Sequence, residues 1–479
     1  MVESIRKDTF NGVKWVAIEK FSLQVIQFGL GVILARLLSP SDYGTIGMLS
    51  VFIAISNVFI DSGFSSALIR KIDRTEEDYS TVFITNLVIS LCFVGLLVLI
   101  APWVAEFYGM PILCPVLRVQ SISLLLYALM AVQATRLTAE INFRALARAS
   151  LLASPLSGLI GIGLAYMGWG VWALFSQNLL AILFKLVCIV YQCRWIPRMR
   201  FSRKSFDELF GFGKNMLGAS LLSAVYFNLD AIVIGKFFSP SSLGTYTRGC
   251  QIARLPVDNI NGVLNTVTYP VLAKLQNDTD RLIGAYRKYI RMTSLCIFFC
   301  CILLSSLGKP IVLFLLSEKW QHAIIYLQIF SFAIMLDHLS VINLNLIKIK
   351  GRSDLILRLE ILKRSISFAI LFAAIPFGVL GICVSKIIYS VIAVYINSYY
   401  NGKLFEMGFV SQFKDYSGYL FCSLVACVPA YLMTFLDLPH WLTVLLGTSL
   451  SIVLYMRMLR RDNSMMELVQ LVKSKLISR

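Results

Sequence analysis

The chain has 479 residues and a net charge of +18, yet only 15% of its residues are charged and 58% are hydrophobic, whereas a soluble protein of this size is near a quarter charged. That balance excludes an ordinary soluble globular protein, and apolar blocks of roughly 20 residues, enough to cross about 30 Å of hydrocarbon as a helix, point to an all-α polytopic membrane protein. In such a chain a positive charge reflects the positive-inside bias before any nucleic-acid partner, and the 11 cysteines, scattered mostly through apolar blocks, have neither zinc-site spacing nor the look of a disulfide framework.

The N-terminal stretch "MVESIRKDTFNGVKWVAIEKF" interleaves acidic residues with basic ones. No small-residue cleavage site follows at the right distance, so it reads as a cytoplasmic amphipathic start to the first helix and not as a signal peptide. Fourteen spans are expected, near 12–36, 41–69, 80–105, 113–136, 149–167, 170–192, 211–235, 241–272, 287–308, 319–347, 355–376, 379–400, 415–435 and 440–457. Between spans 6 and 7 lies the longest polar segment, basic and containing the amphipathic piece "FSRKSFDELFGF". Its pattern predicts a helix lying along the inner membrane surface. The outer turns are short, "MGWG" after span 5 and "PFG" after span 11, leaving no room for a soluble domain.

Basic residues give the orientation. With a cytoplasmic N-terminus, 32 of the 44 lysines and arginines fall in cytoplasmic segments and only Arg36, Lys236, Lys309 and Lys319 in outer loops. Such a bias is the mark of the inner side, so both termini are expected in the cytoplasm. The other eight, Lys20, Arg118, Lys185, Arg248, Arg254, Lys363, Arg364 and Lys386, lie within spans.

The chain also repeats itself. "RLLSPSDYGT" at 36–45 returns as "KFFSPSSLGT" at 236–245, Lys14 aligns with Lys214, and farther on Pro102 matches Pro310 and "GVWA" at Gly170 matches "GVLG" at Gly378. Two copies of six helices enter the membrane the same way up, a parallel repeat. The expected organisation is an N-lobe at 1–192, a basic linker at 193–210, a C-lobe at 211–402, and two added helices with a basic tail at 403–479. Two like-oriented lobes suit a transporter that works by alternating access. The Ser-Pro motif itself has a mechanical reading. Ser39 and Ser239 suit an N-cap, and Pro40 and Pro240 suit the first helical position, where no donor is needed.

Ionisable groups inside hydrocarbon cost at least ~2.5 kcal/mol each and so face a cavity or a partner. The second lobe places Arg248, Arg254 and Asp258 on span 8, Asp337 and His338 on span 10, and Lys363 and Arg364 on span 11. Spans 1, 2 and 7 add Glu19, Lys20, Asp61 and Asp230. Arg248, Arg254, Lys20, Lys363 and Arg364 are the candidates for a cationic, anion-binding cavity, because an arginine fork can hold two phosphate oxygens. The acids, with His338, are candidates for coupling to Na+ or H+. Asp337 with His338 is either a proton-linked site or a helix-packing pair, and Arg254 and Asp258, four apart, are spaced to pair along one face. No GxxxxGK phosphate loop occurs, so the chain is not itself a nucleotide-driven pump. No Ser/His/Asp signature, zinc motif or Gly-rich cofactor loop is present either. The expectation is a non-enzyme without a cofactor or metal.

At this point the residues carry a resemblance. "ILARLLSPSDYGTIGMLSVFIAISNVFIDSGFSSALIRK", from Ile33 to Lys71, "GWGVWAL" and "NLDAIVIGKFFSPSSLGTYTRG" resemble bacterial polysaccharide transporters. These belong to the multidrug/oligosaccharidyl-lipid/polysaccharide exporter superfamily, and the sequence is similar to its O-antigen and colanic-acid type of lipid-linked oligosaccharide flippase. The resemblance implies a V-shaped, two-lobed fold in the bacterial inner membrane. It also implies a substrate made of an oligosaccharide on undecaprenyl diphosphate, membrane lipids as surroundings, polysaccharide polymerase machinery as a partner, and no nucleic acid. The alternatives within reach are an ion-coupled multidrug or metabolite antiporter of the same superfamily and a peptidoglycan-precursor flippase.

Overall fold

The computed structural model describes residues 2–198, 200–467 and 470. Among them all regular structure is helical, as a backbone that must satisfy its own hydrogen bonds in hydrocarbon requires. The chain forms two compact units, Met1–Gly244 and Thr245–Arg479.

The first unit contains α1 (Val2–Leu37), α2 (Pro40–Asp61), α3 (Phe64–Arg70), α4 (Glu76–Tyr108), α5 (Leu113–Ala139), α6 (Phe143–Tyr166), α7 (Val171–Cys193), α8 (Arg203–Phe237) and the first turn of α9 (Pro240–Lys274). Close packing here uses small residues, the usual device where lipid supplies no hydrophobic drive between helices. A Cβ on Gly158 would meet the Leu30 side chain at 2.3 Å, and one on Gly213 would stand 2.6 Å from the Ser62 carbonyl oxygen.

The repeated Ser-Pro motif does what its chemistry predicts. Ser39 accepts a hydrogen bond from the Asp42 N–H at 3.3 Å, and the Asp42 carboxylate accepts one back from the Ser39 N–H at 2.9 Å, which makes a capping box with Pro40 in the first turn. In the second copy Ser239 accepts from the Ser242 N–H at 3.1 Å. The two copies also meet. A Cβ on Gly44 would lie 1.8 Å from the Pro240 carbonyl oxygen, and one on Gly244 would lie 1.8 Å from that of Pro40. Each motif's glycine is the gap into which the other motif's backbone fits.

The basic linker departs from expectation. "FSRKSFDELFGF" does not form a helix of its own. From Arg203 onward it is the start of the 35-residue α8, and its apolar side packs on protein. Leu209 is buried in a cluster with Phe64, Leu68, Tyr79 and Trp195, and the Phe206 and Phe210 rings stand 5.9 and 6.0 Å from Phe64. Ahead of it, the Trp195 indole N–H donates to Glu76 at 2.6 Å and the Ser202 N–H to the Thr81 hydroxyl at 3.0 Å. The pattern was amphipathic because one face meets this end of the unit.

The second unit contains the rest of α9, then α10 (Thr279–Ser306), α11 (Gly308–Leu315), α12 (Ala323–Ile334), α13 (Asp337–Ile349), α14 (Ser353–Ala374), α15 (Gly378–Phe405), α16 (Phe409–Met433) and α17 (His440–Met458). Its core runs through Tyr286, Phe298, Ile302, Ile342, Leu346 and Tyr416. Tyr286 donates to the Asn343 side chain at 2.7 Å, and Asn343 donates to Gln412 at 3.0 Å. This keeps the buried polar groups of three helices paired, as burial demands.

Among the described residues, 12 helical stretches are long and apolar enough to cross a membrane, against the fourteen spans expected. Two features account for the difference. Asp354–Phe405 scores as one stretch of 52 residues although a short 3-10 turn at Ile375–Phe377 and a positive φ of 75° at Gly378 separate α14 from α15. The other is α9, a regular 35-residue helix that is too polar to qualify.

Candidate functional site

The polarity of α9 has a direction. Gln251, Arg254, Asp258, Asn259 and Gly262 are exposed, while Ala253, Val257 and Leu264 on the other side are buried. The exposed positions recur at three to four residues, so they form one stripe along the helix. Such a stripe would be costly to place against lipid.

Arg254 is the centre of this stripe. Its guanidinium lies 5.2 Å from the centroid of the Phe330 ring, a cation–π contact that supports the side chain without neutralising it. The expected pair with Asp258 is not made. Neither residue has an oppositely charged partner within 4 Å among the described residues. Arg248, a turn and a half earlier, is half-buried and donates to the Gln251 side chain at 3.0 Å.

Opposite stands a broken helix. One apolar stretch, Ala323–Ile349, is interrupted at Met335 and Leu336, and Asp337 is the first residue of its second half, α13. A carboxylate there is favoured by the helix dipole, and half-helices in membranes commonly present their ends to charged ligands. Asp337 lies in the field of two cations, Arg254 and Lys363, and of a second acid, Asp258. Lys363 on α14 is buried and pairs with Glu360 at 2.5 Å, and Arg364 approaches the same carboxylate at 3.6 Å. Glu360, which sequence reasoning left out of its candidates, thus ties the two basic residues together. Its three- and four-residue spacing to them was the signal that could have found it.

The second unit therefore brings Arg254, Asp258, Asp337 and Lys363 into one cluster, with Arg364 joined through Glu360. Counting Arg248, four cations face three acids. These groups carry a net charge of one positive, and Arg254 has no acidic partner within 4 Å among the described residues.

His338 does not join the cluster. It is fully buried, with Nδ1 2.8 Å from the Met335 carbonyl oxygen and Nε2 2.8 Å from the Ser294 hydroxyl. Nδ1–H donating to the carbonyl and the hydroxyl donating to Nε2 satisfy both ring nitrogens in the neutral form. The ring also meets Phe298 edge-on at 5.5 Å. It occupies a carbonyl at the helix break, as a broken membrane helix requires.

The remaining candidates belong to the first unit. Asp61 ends α2 and accepts from the Ser65 hydroxyl, which in turn accepts from Thr135 at 3.0 Å. Asp230 is half-buried on α8, and Lys20 is exposed on α1. The side chain of Glu19 lies outside the described residues. Among the described residues no group of His, Cys, Asp and Glu is placed to hold a metal ion.

Comparison with known proteins places this geometry in context. The family described as polysaccharide biosynthesis protein matches residues 33–325. The teichuronic acid biosynthesis protein TuaB of Bacillus subtilis (strain 168) is 27% identical over 357 residues, which cover 74% of this chain and 73% of that protein. The succinoglycan biosynthesis transport protein ExoT of Rhizobium meliloti (strain 1021) is 26% identical over 318 residues, 66% of this chain and 64% of that protein. Among solved structures, the lipid II flippase MurJ in an inward closed conformation matches with a TM-score of 0.75 at 15% identity, covering 93% of this chain and 98% of that one. That likeness is one of fold.

Proposed function

The chain belongs to the polysaccharide biosynthesis protein family, and from that premise we propose that it is a flippase for undecaprenyl-diphosphate-linked oligosaccharide units. It moves them across the bacterial inner membrane by alternating access, for assembly of a surface polysaccharide, and its two termini lie in the cytoplasm. It makes and breaks no covalent bond. A polysaccharide polymerase would take up its product.

The observation that carries this reading is the exposed polar stripe of α9, with Arg254 held over Phe330 and free of an acidic partner. A planar guanidinium in a hydrated space inside the membrane is matched to the oxygens of a diphosphate. Lys363 and Arg364, each engaged by Glu360, are held in reserve beside it. Asp337, between the cations and Asp258, is the residue proposed to couple Na+ or H+ to transport. Its negative charge competes with the substrate phosphates for the same cations, so binding an ion at Asp337 would release them.

The test is surface polysaccharide in cells expressing Arg254→Ala, normalised to protein in the membrane. A loss of roughly tenfold or more is expected, about the value of one charge-assisted contact, with Arg254→Lys in between because a lysine offers no planar fork. Full export by Arg254→Ala would reject the site.

A further inference from the structure

A second site lies away from this cluster, at the end of the second unit where α15 turns into α16. A cavity of about 590 Å³ opens there, lined among others by Tyr395, Ser398, Tyr399, Glu406, Ser411 and Lys414. That is within the usual size of a small-ligand pocket. The turn that borders it is tight. Glu406 takes a left-handed conformation at φ 59°, and Gly402 and Gly408 approach so closely that a Cβ on Gly402 would meet the Gly408 Cα at 3.0 Å.

Three observations give its ligand. The first is charge. Lys414 and Glu406 line one cavity, are both exposed, and make no ion pair with each other or with another residue within 4 Å among the described residues. An acid and a base that share a cavity without neutralising each other fit the two ends of a zwitterion. An anion alone would leave Glu406 opposed, and a cation alone would leave Lys414 opposed. The second is the wall. Tyr395 packs edge-on to Phe409 at 5.9 Å, Phe409 stacks on Phe413 at 6.2 Å, and Lys403 stands 4.7 Å from the Tyr399 ring. Tyr395, Tyr399 and Phe413 remain exposed. Aromatic residues beside lysines at the end of two spans are the composition of a membrane interface. The third is the first turn of α16, which has no side-chain cap. Phe409, Val410 and Ser411 of that turn line the cavity, the Ser411 hydroxyl donates to Met407 Sδ at 3.6 Å and keeps its lone pairs, and the N–H groups that a helix's first turn leaves without a helical partner are suited to a phosphate beside Lys414.

We infer that this cavity binds the headgroup of a zwitterionic aminophospholipid, phosphatidylethanolamine, with the phosphate at Lys414 and Ser411 and the ammonium at Glu406. The acyl chains lie along the exposed faces of Tyr395, Val410 and Phe413. The site is independent of the cluster around Arg254. It follows the lipid of the surrounding membrane and not the transported molecule.

The test uses the purified full chain in nanodiscs of equal phosphatidylethanolamine, phosphatidylglycerol and phosphatidylcholine. Lipid retained after extraction is measured by native mass spectrometry for the wild type, Lys414→Ala and Glu406→Gln. The wild type should retain phosphatidylethanolamine above the other two, and each variant should lose that preference by roughly tenfold, the equivalent of one charge-assisted contact. Both residues are exposed, and gel filtration checks that the variants fold. If Lys414→Ala fails to fold, Glu406→Gln alone decides. Retention of phosphatidylglycerol in preference, with Glu406→Gln unaffected, would make the cavity a plain anion site and overturn the assignment. Equal retention of all three lipids by all three proteins would overturn it as well.

Discussion

Asp415 on α16 holds Arg291 on α10 at 2.5 Å and, through the same carboxylate, Arg287 at 2.8 Å. The Asp415 side chain is wholly enclosed, while the two guanidinium groups keep about two fifths of their surface in solvent. One carboxylate thus fastens one of the last spans to the middle of the second unit. Arg287 donates from both Nε and a terminal nitrogen, the fork geometry that lysine cannot reproduce.

Asp415→Ala should therefore cost about 3 kcal/mol, the low end for removing one partner of a buried pair, since both arginines can return to water. The measurement is thermal unfolding in detergent. Arg287→Lys should fall between the wild type and Asp415→Ala. An unchanged melting temperature in Asp415→Ala would show that the carboxylate adds nothing to the anchor.

Gly44→Ala should destabilise by about 1–3 kcal/mol, the usual range for overpacking, because the added Cβ meets backbone at Pro240 and not a side chain that can turn aside. Gly29→Ala is the control, since a Cβ there meets nothing within 4 Å. If the two variants melt together, the crossing of the motifs is looser than its geometry.

Asp337→Asn keeps the shape of the helix start and removes the charge that acts with Arg254, Asp258 and Lys363. Transport should continue with its dependence on a sodium or proton gradient flattened, read in vesicles with each gradient imposed in turn. A gradient dependence equal to that of the wild type would remove Asp337 as the coupling residue.

Lys71 lies between the spans and binds both Asp78 at 3.1 Å and Glu208 at 3.0 Å. Burial works against its ammonium, but the hydrogen bonds to Glu208 and Asp78 outweigh it and hold the group above the ordinary lysine value of 10.5. A raised value means the stabilisation is complete below pH 10.5 and fades as pH climbs through the folded value. Lys71→Met should destabilise the chain slightly at neutral pH, by less than about 1 kcal/mol for so exposed a partner as Glu208, read as a small drop in melting temperature. The gap to the wild type should close in strong alkali. A gap independent of pH would assign the loss to packing.

The fold was legible where its physics is local or periodic. Long apolar blocks, the Ser-Pro caps at Ser39 and Ser239, and the glycine turns at Gly168 and Gly378 are all written in short windows. What was not legible depends on partners far along the chain. The apolar face of 203–214 could not reveal whether it met lipid or Phe64. His338 and Asp337 are neighbours in sequence, yet Ser294 and Met335 claim one while the other joins Arg254. The spacing of Arg254 and Asp258 permitted a pair that is not made, and Arg254 stands over Phe330. Cluster membership in a bundle is set by which helices adjoin, and that is decided by packing.

The crossing of Gly44 with Gly244 bears on how a duplicated gene ages. At this crossing each half supplies the surface that the other must fit, so a larger residue on either side is rejected by a backbone that has nowhere to go. The ten-residue echo is thus the place where two halves of the chain set each other's limits.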